Sequence, residues 1–359
     1  MLTGNKGEWS EIYVLFKLLG EKEVHAGDGH LNKIECLFYP IIKILRNEKN
    51  GHFEYSVNGD IIIVSEDGTE LLRKSIREFL EKANALYNII KVSKGAFKAP
   101  EIEKFMKEIH CDILKAKTQE KADIRIVIHD MRTGMTPSLG FSIKSQMGND
   151  STLLNAGKTT NVTFEVSNAI FNDDDIERIN SINNRQKIKE RIKEILAKGG
   201  ILNYHCIDDI TFRNNLVMID SLLPQIIGEL LKVSYTTDTT DIKSIIQVIT
   251  NKNPVGYDIT SNNYYYEHKI KNLLVASALG MVPHTVWKGQ YEANGGYLVV
   301  KDDGDVLCYH FYDRNLFEDY LYCNTRLESS STTRHGYAKL YRGEDDKLYF
   351  KLNLQIRFK

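Results

Sequence analysis

The stretch Ala122–Gly148, ADIRIVIHDMRTGMTPSLGFSIKSQMG, constrains the fold more than any other part of this 359-residue chain. It opens on an alternating run in which Ile124, Ile126 and Ile128 point one way and Asp123, Arg125 and Val127 the other. A turn region with two glycines and a proline follows, and then a second apolar run, Phe141–Gln146. The pattern predicts a hairpin of two strands. Residues two apart on a strand share a face, so Ser142, Lys144 and Gln146 line one side, with Ser142 and Lys144 roughly 7 Å apart at Cα. The hairpin brings Asp123 to the same polar edge.

An acid at the start of one strand and a lysine inside the next form the skeleton of a metal-dependent phosphodiesterase site. A carboxylate oxygen suits Mg²⁺, a hard cation that keeps several waters. The metal lowers the pKa of a bound water, and a neighbouring ammonium orients that water or neutralises charge on the phosphate. The stretch resembles the PD-(D/E)xK nuclease signature with one departure. Ser142 stands two before Lys144, where that signature has Asp or Glu. The bland reading is an ordinary hairpin with a solvated lysine.

At 41.2 kDa the chain is long enough for two domains, each with its own core. A formal net charge of −1 excludes a uniformly basic coat, but not a locally basic cleft. The five cysteines form no CxxC, and their odd number and wide spacing predict a reducing, cytoplasmic setting. The beginning, MLTGNKGEWSE, is polar and acidic, unlike a secretory leader. No apolar run approaches the roughly 20 residues of a membrane span.

Thr3 or Asn5 can cap a helix over about 7–19, with Ile12, Leu15 and Leu19 as its apolar stripe. Glu8 and Glu11 lie at the edge of that stripe. A carboxylate aimed at a core needs a metal or a cation as partner, whereas the bland role is first-turn dipole compensation. Further on, 37–45 reads as a short apolar helix and 55–65 as a hairpin around Asn58-Gly59. Helices are expected over 70–87, 99–114, 173–198, 212–232 (broken or kinked at Pro224) and 264–279, with a strand at 162–166. Gly157-Lys158-Thr159 is not a P-loop, because the glycine required five positions earlier is Thr152. Lys158 and Asn161 are nonetheless suited to gripping phosphate oxygens. The charged run RQKIKERIKEILAK reads as a solvated face. His25, His30 and Cys36 are too loosely spaced for zinc.

A change of pattern places a domain boundary near 235. Beyond it come short β-like runs and a hydroxyl-rich loop, NTRLESSSTTRHGYAKLYR. From Asn324 to Lys359 eight Lys or Arg face four Asp or Glu. Arg326, Ser330, Thr332, Arg334, His335 and Lys339 are the candidate DNA-reading residues: arginine can bond bidentately to guanine, and hydroxyls can position on phosphates. An exposed basic loop is the plain alternative.

Taken together, GNKGEWSEIY, ADIRI, LGFSIKSQMG with STLLNAGKTTN, and NTRLESSSTTRHGYAKLY with KLNLQIRF resemble the HpaII family of type II restriction endonucleases, over most of the length. The resemblance implies an α/β, restriction-endonuclease-like core with a mixed sheet flanked by helices, here 1–235, and an α+β C-terminal recognition domain, 236–359. It implies Mg²⁺-dependent cleavage of double-stranded DNA at a short palindrome, CCGG for the nearest named relative with specificity differing between members, and a cognate methyltransferase as genetic partner. Asp123 would ligate Mg²⁺, Glu8 or Glu11 would supply a second carboxylate, Lys144 would activate water or stabilise charge, and Gln146 would orient water. The departure at Ser142 leaves one ligand unassigned. A homodimer would match a palindrome. A structure-selective repair nuclease, or a non-catalytic DNA-binding protein on a decayed nuclease fold, are the other readings of the same residues.

Overall fold

The computed structural model describes residues 1–115, 122–291 and 294–359. The chain folds as two compact units whose segments alternate along the sequence, Met1–Ser151 with Tyr291–Tyr320, and Thr152–Gln290 with Leu321–Lys359. Position 235 therefore lies inside the second unit, and a segment from far down the chain belongs to the first.

The first unit begins with helix α1 (Lys6–Glu21) and strands β1 (Glu23–Gly27), β2 (Lys33–Asn47), β3 (His52–Asn58), β4 (Ile61–Glu66) and β5 (Thr69–Ser75). Helices α2 (Ile76–Val92) and α3 (Pro100–Glu108) and strands β6 (Ile124–Ile128) and β7 (Ser138–Ser145) follow. The chain then runs through β8 (Thr152–Leu154), β9 (Asn161–Ser167), α4 (Asp173–Ser181), α5 (Lys187–Ala197), β10 (Ile201–Ile207), α6 (Ile210–Ile219), α7 (Leu223–Thr236), α8 (Ile242–Lys252) and α9 (Tyr265–Leu279). It returns to the first unit with β11 (Gly296–Val300) and β12 (Val306–His310).

The first unit is built on a nine-stranded mixed sheet of order β1-β12-β11-β7-β6-β2-β3-β4-β5. Strand β1 also pairs with β2, so six of the strands close into a circuit. The expected hairpin is present: β6 and β7 run antiparallel with Ile124 opposite Phe141. Strand β11 lies parallel to β7, Tyr297 opposite Ser142 and Val299 opposite Lys144. Helix α1 packs on this sheet through Trp9, Ile12, Leu15, Phe16 and Leu19, all fully buried among Ile124, Ile126, Phe141 and Leu298.

In the second unit β10-β9-β15-β14 form one small sheet and β13-β16-β8 another, where β13 is Thr325–Leu327, β14 Leu340–Arg342, β15 Leu348–Asn353 and β16 Ile356–Phe358. The helices α4–α9 complete a mixed α/β architecture.

Several expected elements differ. The run 37–45 is strand, not helix, because a short apolar run carries no helical period and the β-branched Ile41, Ile42 and Ile44 favour the sheet. Residues 69–75 form the edge strand β5, and the helix starts only at Ser75, whose hydroxyl and Glu78 make a reciprocal capping box. The long helix over 173–198 is two helices. Between them the Arg191 guanidinium, in the run expected to be solvated, is buried and donates to the carbonyls of Asn180, Ile182 and Ala338 at 2.5–2.6 Å. At Asn180 and Ile182 it thus satisfies carbonyls of the end of α4 that would otherwise lack partners. Pro224 opens the separate helix α7, where its missing N–H is harmless.

Candidate active site

Strand geometry places Asp123 at the head of β6. Its backbone N–H donates to the Phe141 carbonyl at 2.8 Å, and its carboxylate accepts the Ile143 N–H at 2.7 Å. That side chain is thus held against β7 by the strand that carries Ser142 and Lys144. Ser142 is buried, and Lys144 lies with its ammonium 4.9 Å from the centre of the Tyr297 ring. The aromatic face is an electrostatically favourable seat for a cation. Burial lowers the Lys144 pKa, while the carboxylates of Asp123 and Glu11 pull it back up.

The two glutamates of α1 part company. Glu8 closes a capping box with Asn5: the Glu8 N–H donates to Asn5 Oδ1 at 3.0 Å, and the Asn5 N–H donates to Glu8 Oε2 at 2.8 Å. Glu8 is thereby held by the helix start, with the Lys115 ammonium 3.9 Å away. Glu11, almost one turn further along, is only 7% exposed. Burial first, and then the Asp123 carboxylate, push its pKa up to about 8, with Lys115 and Arg46 opposing. A desolvated carboxyl group beside a second carboxylate behaves in this way. The hydroxyls of Ser10 and Ser145, 2.9 Å apart, key α1 to the end of β7 and so set the neighbouring Glu11 beside the hairpin.

Glu11, Asp123 and Lys144 thus converge from a helix and two strands, with Ser142 on the same strand face as Lys144. Gln146 lies just past β7, where its backbone N–H donates to the Val300 carbonyl at 2.9 Å. Tyr297, Lys115 and Arg46 belong to the surroundings of this cluster and were not among the expected site residues. Arg46 is buried against Glu48 at 2.7 Å, and Glu48 in turn accepts the N–H groups of Asp112 and Ile113, which fixes the segment leading to Lys115. Nothing local in the sequence marks Tyr297, which reads as one more residue of an apolar strand.

Among the described residues no group of three or more His, Cys, Asp or Glu forms a metal cage. The donor set here is two carboxylates and no thiol or imidazole. It fits a hard divalent cation that retains waters and needs only one or two carboxylates.

The expected DNA-reading residues all lie in the second unit and fall into two groups. Arg326 is paired with Glu328 at 2.9 Å and donates to the Phe358 carbonyl, and Ser330 donates to Asn353 Oδ1 at 2.8 Å. Asn161 is buried and donates to the His335 carbonyl while accepting from Asn353. These three frame the loop. Arg334, Lys339 and Lys158 are exposed, and no side-chain partner of theirs occurs among the described residues. Lys158 and His335 line one cavity of about 440 Å³, and Thr332 and Ser330 another of about 550 Å³ with Arg185 and Lys187.

Comparison with known proteins agrees with what the cluster suggests. Residues 5–358 match the model of the HpaII restriction endonuclease family. The chain is 46% identical over 360 residues to the type II restriction enzyme HpaII of Haemophilus parainfluenzae, covering 99% of this chain and 98% of that one. No solved structure matches significantly. The molecule is a type II restriction endonuclease, a site-specific deoxyribonuclease of a class that generally works with a divalent metal. Within that class, the chain belongs to the HpaII restriction endonuclease family.

Proposed function

We propose that this enzyme hydrolyses both strands of duplex DNA at CCGG, with Mg²⁺ as its metal and with Glu11, Asp123 and Lys144 as the reacting cluster. The observation that carries the reading is the raised Glu11 carboxyl beside Asp123: a buried carboxyl group repelled by a half-buried carboxylate is a cost to the fold unless a cation joins them. Glu11 and Asp123 would hold Mg²⁺, which when bound makes water more acidic and steadies negative charge on phosphorus. Lys144, with an ammonium made easier to deprotonate by its burial, orients the attacking water or donates to a phosphate oxygen. Ser142 contributes a neutral hydroxyl where related nucleases place a charge, so Glu11 supplies what that position lacks. Gln146 is assigned to orienting water, and Glu8 to holding the start of α1.

On this reading the first unit is the restriction-endonuclease-like core, and the second unit reads the site. Arg334, Lys339, Lys158, His335 and Thr332 face the DNA, while Arg326, Ser330 and Asn161 hold their loop in shape. A two-fold homodimer would suit a palindrome, and a cytosine methyltransferase would protect host DNA in the cytoplasm. The test is a plasmid digest with Mg²⁺, with EDTA, and on CCGG-methylated DNA. Discrete fragments mapping to CCGG, lost with EDTA or methylation, are expected. Nicking at cruciforms would favour structure-selective cutting, and binding with no cutting would mean a decayed site.

A further inference from the structure

A cavity of about 750 Å³ in the first unit has Lys144 in its wall. The rest of its lining comes from the start of α1, the loop after α2 and the turn after β7. Among the described residues that line it the charged ones are Lys6, Lys94 and Lys144, with no carboxylate. Ser93, Asn149 and Ser151 add neutral polar groups. Lys144 already faces Asp123 and Glu11, whereas Lys6 and Lys94 add two lysines to the same concave lining, and a surface with such an excess of cations concentrates anions. The chain as a whole carries slightly more acidic than basic residues, so this acid-free stretch is a local departure.

Two further details bear on its use. Lys6 is the first residue of α1, where the helix dipole already presents its positive end, so a cation there is unfavourable for the helix itself. Among the described residues its ammonium reaches only a carbonyl, that of Lys91 at 3.3 Å. Lys94 is exposed, and no hydrogen-bond or ion-pair partner of its side chain occurs among the described residues. Beside it Gly95 has a φ of +65° and open space where a Cβ would stand, which keeps that wall low.

The geometry points to this cavity as the track of the DNA strand flanking the cut, with Lys6 and Lys94 each meeting a backbone phosphate. The inference rests on the proposed role of Lys144, because the cavity gains its meaning from opening onto that residue. Lys6 and Lys94 are positioning residues: they set the strand's path and carry no base information.

The experiment measures equilibrium binding of the full chain to a CCGG duplex in EDTA over a range of salt, for wild type, Lys6→Ala, Lys94→Ala and Lys94→Arg. Loss of one phosphate contact reduces the slope of log K against log[salt] by about 0.9, equivalent to about 8-fold weaker binding near 0.1 M salt. Each alanine variant should show this loss, and Lys94→Arg should restore it. Neutral methylphosphonates are then placed one at a time along both flanks of the cut. At one position the substitution should weaken wild type and have little further effect on Lys94→Ala. Slopes and affinities equal to wild type in both alanine variants would overturn the inference, as would methylphosphonate losses undiminished in Lys94→Ala at every position. Cleavage of the same duplex by wild type with Mg²⁺ is measured alongside. No cleavage there defeats the proposed function, whereas cleavage with unchanged variant slopes defeats this inference alone.

Discussion

Replacing Glu11 by glutamine should stabilise the metal-free protein while ending cleavage. In the folded chain the Glu11 carboxyl titrates at about 8 against an ordinary 4.5, because burial disfavours its charge and Asp123 repels it. Between those values the folded chain holds a proton that the unfolded chain has released. Stability from this group therefore falls as pH rises from 4.5 toward 8. At 1.36 kcal/mol per pH unit, the loss approaches ~5 kcal/mol above pH 8 and ~3 kcal/mol at pH 7. Water entering the cluster trims that ceiling, so the expected gain from Glu11→Gln is ~2 kcal/mol at pH 8, or roughly 4–8 °C in Tm for a unit of 150–250 residues. Glutamine keeps the size and the hydrogen-bonding capacity of glutamate, so packing changes little. The assay is urea and thermal unfolding in EDTA across about pH 5 to 9. Wild type should lose stability over this range relative to the variant. Added Mg²⁺ should raise the Tm of wild type and leave Glu11→Gln nearly unmoved. Parallel pH profiles, or a variant less stable than wild type at pH 8, would refute the reasoning that Glu11 is desolvated beside the Asp123 carboxylate.

Asp123→Asn should lose cleavage by at least about 10²-fold in single-turnover assays, the lower range for one positioned catalytic group, while specific binding in EDTA persists; near-normal cutting would remove the centre of the site. Ser142→Ala should be mild in the same assay, because Glu11 supplies the carboxylate; a loss as large as that of Asp123→Asn would contradict this. Arg334→Ala should cost about 1–3 kcal/mol at CCGG and little on unrelated DNA if it meets a guanine edge, whereas equal losses on both mark a phosphate contact. His310 offers a pH test outside the active site. Burial lowers its pKa to about 4 from 6.5, with Asp313 and Asp130 opposing and Arg132 reinforcing the shift. The unfolded chain takes up the proton first as pH falls, so this group's contribution is full above 6.5 and drains by up to about 3 kcal/mol toward pH 4; His310→Gln should flatten that part of an acid-unfolding curve.

The β6–β7 hairpin was legible in the chain because its signals are local. Alternation of Ile124, Ile126 and Ile128, the Gly and Pro of the turn, and the two-residue step from Ser142 to Lys144 need no distant contact to be read. The start of α1 was legible for the same reason: Asn5, one of the two expected caps, directly precedes the helix and accepts the Glu8 N–H, while the reciprocal bond to the Glu8 carboxylate emerges only in the structure. The family likeness was legible too, since the matching segments are spread along the whole chain.

Tertiary structure decided what depends on neighbours remote in sequence. The run 37–45 is apolar without a period, so only its pairing with β1, β3 and β6 makes it a strand. Glu8 and Glu11 looked alike on a helical wheel. They separate because one is held by its own helix start and the other meets Asp123, more than a hundred residues away. Division of the chain into domains at a single point near 235 could not anticipate that 291–320 crosses back to place β11 beside β7. That return brings the Tyr297 ring under Lys144, and with it part of the desolvation that lowers the lysine's pKa. Local spacing determines which side chains share a face; which faces meet, and how dry they become, is set by long-range packing.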